Sequence, residues 1–184
     1  MAAIDDDALA RSLRELTDRI SSDALVRPLT AQLATVVSAS ARLLGVESVG
    51  ILLLDDADRV RSVAASGRAA EALETAQERA GVGPGVDALV GKAMVAVEDV
   101  AAEPRHWALW QEIAASGARA VLAAPIWLGG QVVGVLNAVT AAPHVWSNPQ
   151  RRAAEAVAGV VGEMLGLAAR PALGTGGDGE GAVQ

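Results

Sequence analysis

From Ala120 to Trp146 the chain carries no Asp, Glu, Lys or Arg, and the stretch holding most of that run, Gly117 to Thr140, reads GARAVLAAPIWLGGQVVGVLNAVT. An uncharged run longer than ~20 residues is long enough to cross a bilayer as a helix. Pro125, the Gly129-Gly130-Gln131 break, Asn137 and Pro143 cut it into strand-length pieces instead. Val121, Leu122, Ile126 and Leu128 precede the paired glycines, and Val132, Val133, Val135, Leu136 and Val139 follow them. Two β-branched runs around a glycine turn predict an antiparallel hairpin. Both runs are apolar on both faces, so the hairpin belongs in the middle of a sheet covered on each side. Gly134 inside the second run marks a point where something approaches the backbone closely.

One acidic turn and several helical spacings place the remaining elements. Leu9, Leu13, Leu16 and Ile20 recur at intervals of four, three and four within a helix expected over Asp5 to Ser22. That seam of two heptads fits either a helix packed on its own domain or a dimerising one. Pro28 interrupts it, and a second helix over Leu29 to Leu44 stops at Gly45. Strands are expected at Ser48 to Leu54 and Val60 to Ala65, joined by Asp55-Asp56-Ala57-Asp58. This acidic string is a hairpin loop; it lacks the glycine and the later glutamate of a calcium loop.

A helix over Ala69 to Arg79 has Ala72, Leu73 and Ala76 on one side, with Glu71, Glu74 and Glu78 dispersed around the rest. It runs into Gly81 to Gly85, a glycine segment expected to be irregular, whose spacing matches neither a P-loop nor a dinucleotide fingerprint. A helical turn from Asp87 to Lys92, a short strand over Met94 to Val97, and a helix over Glu103 to Ser116 follow. After the hairpin, Ser147 with Gln150 forms a capping box and Pro149 suits a first helical position, opening a last helix to about Ala169. Gly159, Gly162 and Gly166 form a smooth stripe on it, placed for contact with the Leu29 to Leu44 helix or with a second subunit. Three segments result: an N-terminal amphipathic helix over 1–27, one domain over 28–169, and a Gly-rich tail expected to be disordered over 170–184.

Composition narrows the function classes. The 184-residue chain is 52% hydrophobic yet has no Phe and no Tyr, so each of its four Trp carries unusual packing weight. A net charge of −7 without a basic patch argues against a nucleic-acid binder. With no cysteine, thiolate catalysis, disulfides and thiol-linked chromophores are excluded. No secretory leader is visible around Asp5-Asp6-Asp7, and a cytoplasmic location with no membrane partner is expected.

In order these elements give an α+β domain around one antiparallel sheet. The chain resembles the GAF family through Ser48-Val-Gly-Ile-Leu-Leu-Leu-Asp55, Gly83-Pro84 with Asp87-Ala88, Val97-Glu98-Asp99-Val100, Trp107, and Gly117 to Asn137 with its Ala124-Pro125-Ile126 and Gly134-Val135-Leu136. The likeness spans about Leu29 to Leu167 and looks nearest to GAF modules of actinobacterial regulators that often precede an RNA-binding ANTAR domain. It implies a PAS-like central sheet of five to six strands, a helical layer on one side that often makes the dimer contact, and a pocket under loops and short helices on the other. Departures from the family matter as much. No ANTAR-like bundle follows the last helix, so RNA antitermination is not carried over. The Asn-Lys…Phe…Asp-Glu signature of cyclic-nucleotide-binding members is missing. The bilin-linking members and the methionine sulfoxide reductases of the family need a cysteine.

The expected function is therefore a non-enzymatic sensory or regulatory module, a homodimer that binds an unidentified small molecule or a partner signalling protein. The alternative is a ligand-free interaction scaffold whose pocket is filled by its own side chains. Trp107 and Trp110, three apart on one helical face, are either core or the wall of a pocket whose other candidates are Asp87, Met94, Val121, Ala123, Asn137 and Val139. Asn137, an amide in an apolar strand, must be hydrogen-bonded to a neighbouring loop or to a ligand. Asp87 either caps the turn that follows or anchors the glycine loop, and an acid–base pair with His106 is conceivable. Candidate dimer contacts are Leu9, Leu13, Leu16, Ile20, Gly159, Gly162 and Gly166. No cofactor or metal is expected. Haem ligation through His106 or His144 is the one cofactor alternative, and a surface histidine is the simpler reading of each.

Overall fold

The computed structural model describes residues 6–23 and 28–169. The expected tail over 170–184 lies outside them, as do the side chains of Leu9 and Ile20. Five antiparallel strands form one sheet in the order β2-β1-β5-β4-β3: β1 (Ser48–Leu54), β2 (Val60–Ala65), β3 (Val95–Val97), β4 (Ala120–Leu128) and β5 (Gln131–Thr140). The expected central hairpin is β4–β5, flanked by β3 on one side and by the β1–β2 hairpin on the other. Pro125 sits in β4 beyond the reach of β3, which pairs only with residues 121–123, so its missing N–H breaks no ladder on that side.

Alternation along the strands sends side chains to two different cores. Val49, Ile51, Ala120, Leu122, Ala124, Ile126, Leu136 and Ala138 face a helical layer made of α1 (Asp6–Asp23), α2 (Leu29–Leu44) and α6 (Asn148–Ala168). Val121, Ala123, Val135, Asn137 and Val139 point the other way, toward α3 (Arg68–Ala80), α4 (Pro84–Gly91) and α5 (Trp107–Ile113). Leu16 of α1 is buried in the first core, against helices of its own chain. The Ser147 capping box is formed as the spacing predicts.

Three local expectations are corrected. Helix α4 begins at Pro84 rather than Asp87, because proline at the first helical position loses no hydrogen bond; the irregular part of the glycine segment is confined to residues 81–83, with Gly81 and Gly83 at positive φ. The Glu103 to Ser116 segment is a 3-10 turn at Pro104–His106, the short α5, and a second 3-10 turn at Ala114–Ser116. Its buried stripe is His106, Leu109 and Ile113, at i, i+3 and i+7. Trp107 lies two residues from Leu109, on the opposite side of the helix, and is 51% exposed. Two glycines of the α6 stripe lie against its own sheet, while Gly159 is exposed with nothing within 4 Å of an added Cβ. A Cβ on Gly162 would stand 2.3 Å from the Trp127 carbonyl oxygen and one on Gly166 3.2 Å from Leu128 Cδ1. The close approach is thus to β4, where a register shift after Ile126 turns the strand end against the helix.

Candidate functional site

The sheet face covered by α3 and α4 holds a polar cluster within an otherwise apolar interior. Gly50 and Asn137 are cross-strand partners on β1 and β5. Opposite them α3 presents Ala69, Ala70, Leu73, Glu74, Ala76 and Gln77 as its buried stripe. Ser48 Oγ accepts the N–H of Ala70 at 3.0 Å and so fixes the first turn of that helix on the sheet. Glu74 is consequently driven onto the strands, with none of its surface exposed. Asn137 Nδ2 donates to both of its carboxyl oxygens at 2.9 Å, and Gln77 Nε2 donates to Oε2 at 3.1 Å. Gln77 Oε1 in turn accepts the N–H of Gly85 at 2.7 Å, tying the cluster to the start of α4.

Glycine makes this cluster sterically possible. A Cβ on Gly50 would fall 2.2 Å from Glu74 Oε1, one on Gly83 2.5 Å from Gln77 Oε1, and one on Gly85 2.8 Å from Asn137 Nδ2. Among the described residues no cation reaches Glu74, and burial outweighs the two amide donors, pushing its pKa up to about 8. It is therefore largely a neutral acid at pH 7. With Nδ2 turned to Glu74, Asn137 Oδ1 is buried without a partner.

Beside this cluster, His106 Nε2 lies 3.0 Å from Asp87 Oδ2, and Arg105 reaches the same oxygen at 3.5 Å. The pairing across the glycine segment is the one the sequence made conceivable, but His106 is 2% exposed and not a surface residue. Its Nδ1 has no protein partner among the described residues. Asp87 is thereby committed to His106 rather than to capping. His144 Nε2 is held by Gln150 Oε1 at 2.9 Å, with its ring edge-on to Trp146.

The other sequence candidates are dispersed. Val121, Ala123, Asn137 and Val139 are fully buried beneath α3, α4 and α5. Trp110 is covered by the Arg119 guanidinium, 5.2 Å from the ring centroid, which Asp99 holds bidentately. Met94 lines a cleft beside Trp127 and Gly159. None of the eight pocket candidates lines the open groove of about 660 Å³ between the β1–β2 hairpin and α3–α4. The apolar part of its lining includes Leu54, Val60, Val86, Leu89 and Val90. At its rim Arg61 pairs with Asp55 and Glu78, Arg59 with Asp55, and Arg79 with Glu112. Asp55 also accepts the N–H groups of Ala57 and Arg59, so the acidic string closes a hairpin.

The sequence reading missed Glu74 because three glutamates at nearby positions resemble a solvated face. Its signal lay elsewhere, in Gly50 and Asn137, two residues poorly suited to strand interiors that stand opposite one another.

Comparisons with known proteins agree with this architecture. The free methionine-R-sulfoxide reductase from Neisseria meningitidis superposes with a TM-score of 0.64 at 21% identity, covering 90% of this chain and 93% of that one. Residues 122 to 287 of a methyl-accepting chemotaxis protein superpose at 0.64 with 19% identity, covering 83% and 95%. The phycocyanobilin-bound GAF domain of a cyanobacterial phytochrome does so at 0.64 with 17% identity, covering 86% and 94%. At these identities the likeness speaks for the fold. No curated protein matches the chain in sequence. The family model described as "GAF domain" matches residues 26–165, which takes in the sheet, α2 to α5 and nearly all of α6, and the chain belongs to the GAF domain family.

Proposed function

We propose that this GAF domain is a non-enzymatic sensory or regulatory module, of the kind found in actinobacterial regulators, which binds a small, largely apolar molecule and signals as a homodimer. The observation that carries the reading is the groove between the β1–β2 hairpin and α3–α4. It is walled by α4, and α4 is tied through Gly85 and Gln77 to the polar cluster, so an occupant touching Val86 and Leu89 bears on the core. The arginines at the rim are neutralised by carboxylates, which favours an uncharged or weakly polar occupant over a polyanion. Family membership and the chemotaxis and phytochrome structures support a sensory role. The reductase neighbour supports chemistry on the same fold, but a chain without cysteine has no thiolate with which to perform redox catalysis.

Thermal unfolding against a panel of apolar metabolites tests the reading. Compounds that raise the melting temperature of the wild type and not of Val86→Arg support it. A second reading, a ligand-free dimerisation scaffold, is favoured by the way Glu74, Gln77 and Asn137 fill the space between sheet and helices. A panel that shifts nothing, with dimers persisting in solution, selects the scaffold.

A further inference from the structure

We propose that Glu74 is a proton-binding switch: carrying its proton it latches α3 to β5 and to the start of α4, and loss of that proton releases the latch. This rests on no groove ligand; if a ligand is also sensed, the switch governs the wall it binds to.

The argument begins with the buried atom that lacks a partner. With Asn137 Nδ2 shared between both oxygens of Glu74, Asn137 Oδ1 is left unpaired inside the protein. Oxygen and nitrogen of an amide are assigned from the network around them. Turning the amide over sets Oδ1 against Glu74, where only a protonated carboxyl can serve it, by donating its O–H. Nδ2 then takes the place of Oδ1, beside Gly85. In that arrangement Asn137 Oδ1 finds a donor in Glu74 only if the acid is neutral, because a carboxylate has no proton to give. Burial pushes the pKa of Glu74 up to about 8, against the two amide donors, which favour the carboxylate.

Among the described residues, no charge from the surrounding elements compensates a carboxylate here. β1 brings Gly50 and β5 brings Asn137. On α4 the nearest groups are the backbone of Gly85 and, further on, Asp87, which is turned to His106 and Arg105. From β2, Arg61 is held by Asp55 and by Glu78 of α3; from α5, Glu112 is held by Arg79. Glu71, on α3 itself, is exposed on the outer side. When the proton passes to water, the anion is left in an apolar interior with only amide donors, and its route to hydration is outward movement of α3. Gln77 sits on the same turn and carries the Gly85 N–H, so that movement pulls on the first turn of α4.

The test is hydrogen exchange of α4 amides in wild type and Glu74→Gln, compared at the same pH from 6 to 10, together with the infrared carboxylic-acid C=O band. Glutamine reproduces the neutral acid in shape and donor. The expected result is a buried C=O band that vanishes on alkalinisation and is absent from Glu74→Gln. In parallel, protection of the wild-type Gly85 amide should fall relative to the variant by up to about tenfold per pH unit above the titration. Gln77→Met should leave the infrared titration in place while abolishing its effect on α4, and it keeps the question answerable should Glu74→Gln fold poorly. A band that titrates with ordinary carboxylates overturns the proposal, as does α4 protection that falls equally in both proteins. His106→Gln must retain the alkaline step; its loss there would assign the response to the His106–Asp87 pair and overturn the switch.

Discussion

Asn137 and Glu74 are 63 residues apart in sequence and are joined by two hydrogen bonds of 2.9 Å in an interior that offers the acid no cation. The stability of this domain therefore depends on pH in a sense opposite to that of a salt-bridged carboxylate. In the unfolded chain a glutamate releases its proton near 4.5, whereas in the fold Glu74 keeps it to about 8. Between those values the native state binds the extra proton. This contribution to stability is complete below 4.5 and is lost as pH rises through 8. The loss approaches about 1.4 kcal/mol per pH unit across that window. Glu74→Gln should match the wild type in acid and exceed it in urea midpoint at pH 8. A variant that is less stable than wild type at pH 8 would refute the buried neutral acid.

Gly159 and Gly162, one turn apart on α6, should respond to alanine with opposite signs. Alanine favours a helix over glycine by about 1 kcal/mol at either position. At Gly159 nothing lies within 4 Å of the added Cβ, so the gain is realised. At Gly162 the methyl would stand 2.3 Å from the Trp127 carbonyl oxygen, which is backbone and cannot turn aside. Displacing α6 from β4 should cost about 1–3 kcal/mol. Chemical denaturation of the two variants gives the comparison. Equal shifts would mean that the helix does not lie on the strand as described.

The sheet was legible in the sequence because its signal is local. Apolar runs around an acidic turn gave β1 and β2 with their limits, the runs around Gly129-Gly130 gave the β4–β5 hairpin, and the doubly apolar pattern of β4 and β5 placed them centrally. The polar cluster was half legible. Asn137 declared itself as an amide needing a partner, but the partner comes from a helix whose phase is set by Ser48 and by alanines too small to announce a face. Trp107 misled for a related reason. Three-residue spacing to Trp110 is compatible with two helix phases, and the one that buries His106, Leu109 and Ile113 turns Trp107 outward. Gly162 and Gly166 on α6 reflect the same limit, since a glycine stripe states that something comes close without stating what.

Asp99 and Arg119 set the opposite pH limb. Arg119 donates to both Asp99 oxygens, at 2.5 and 2.9 Å, and the N–H of Ala101 donates to Oδ1 at 3.0 Å. Arg119 foremost, with the backbone, holds the Asp99 carboxyl below its ordinary value of 3.8. Stability from this pair is present above 3.8 and is lost as pH falls through the depressed value. Asp99→Asn should therefore be modestly less stable at neutral pH and converge on the wild type in acid. Because Arg119 lies over Trp110, the substitution should also change the Trp110 contribution to fluorescence, measured against Trp110→Phe. A deficit that persists unchanged into acid would show that the pair is not the titrating element.

Leu16 distinguishes a helix that serves its own domain from one that serves a partner. It is 5% exposed, in one cluster with Leu33, Val157 and Val161, and α1 packs on α2 and α6 of the same chain. Arg11, Arg14 and Glu15 lie on the exposed side. Truncation of such a leucine removes packing atoms that a terminal helix can only partly replace by settling inward, at a cost of about 2–3 kcal/mol. Leu16→Ala should lower the unfolding midpoint by the same amount at low and high protein concentration, because Leu16 is buried against α2 and α6 of its own chain. A deficit that shrinks with concentration, or dimers that dissociate in the variant while the fold stays intact, would place Leu16 between subunits and return the heptad seam to a dimer interface.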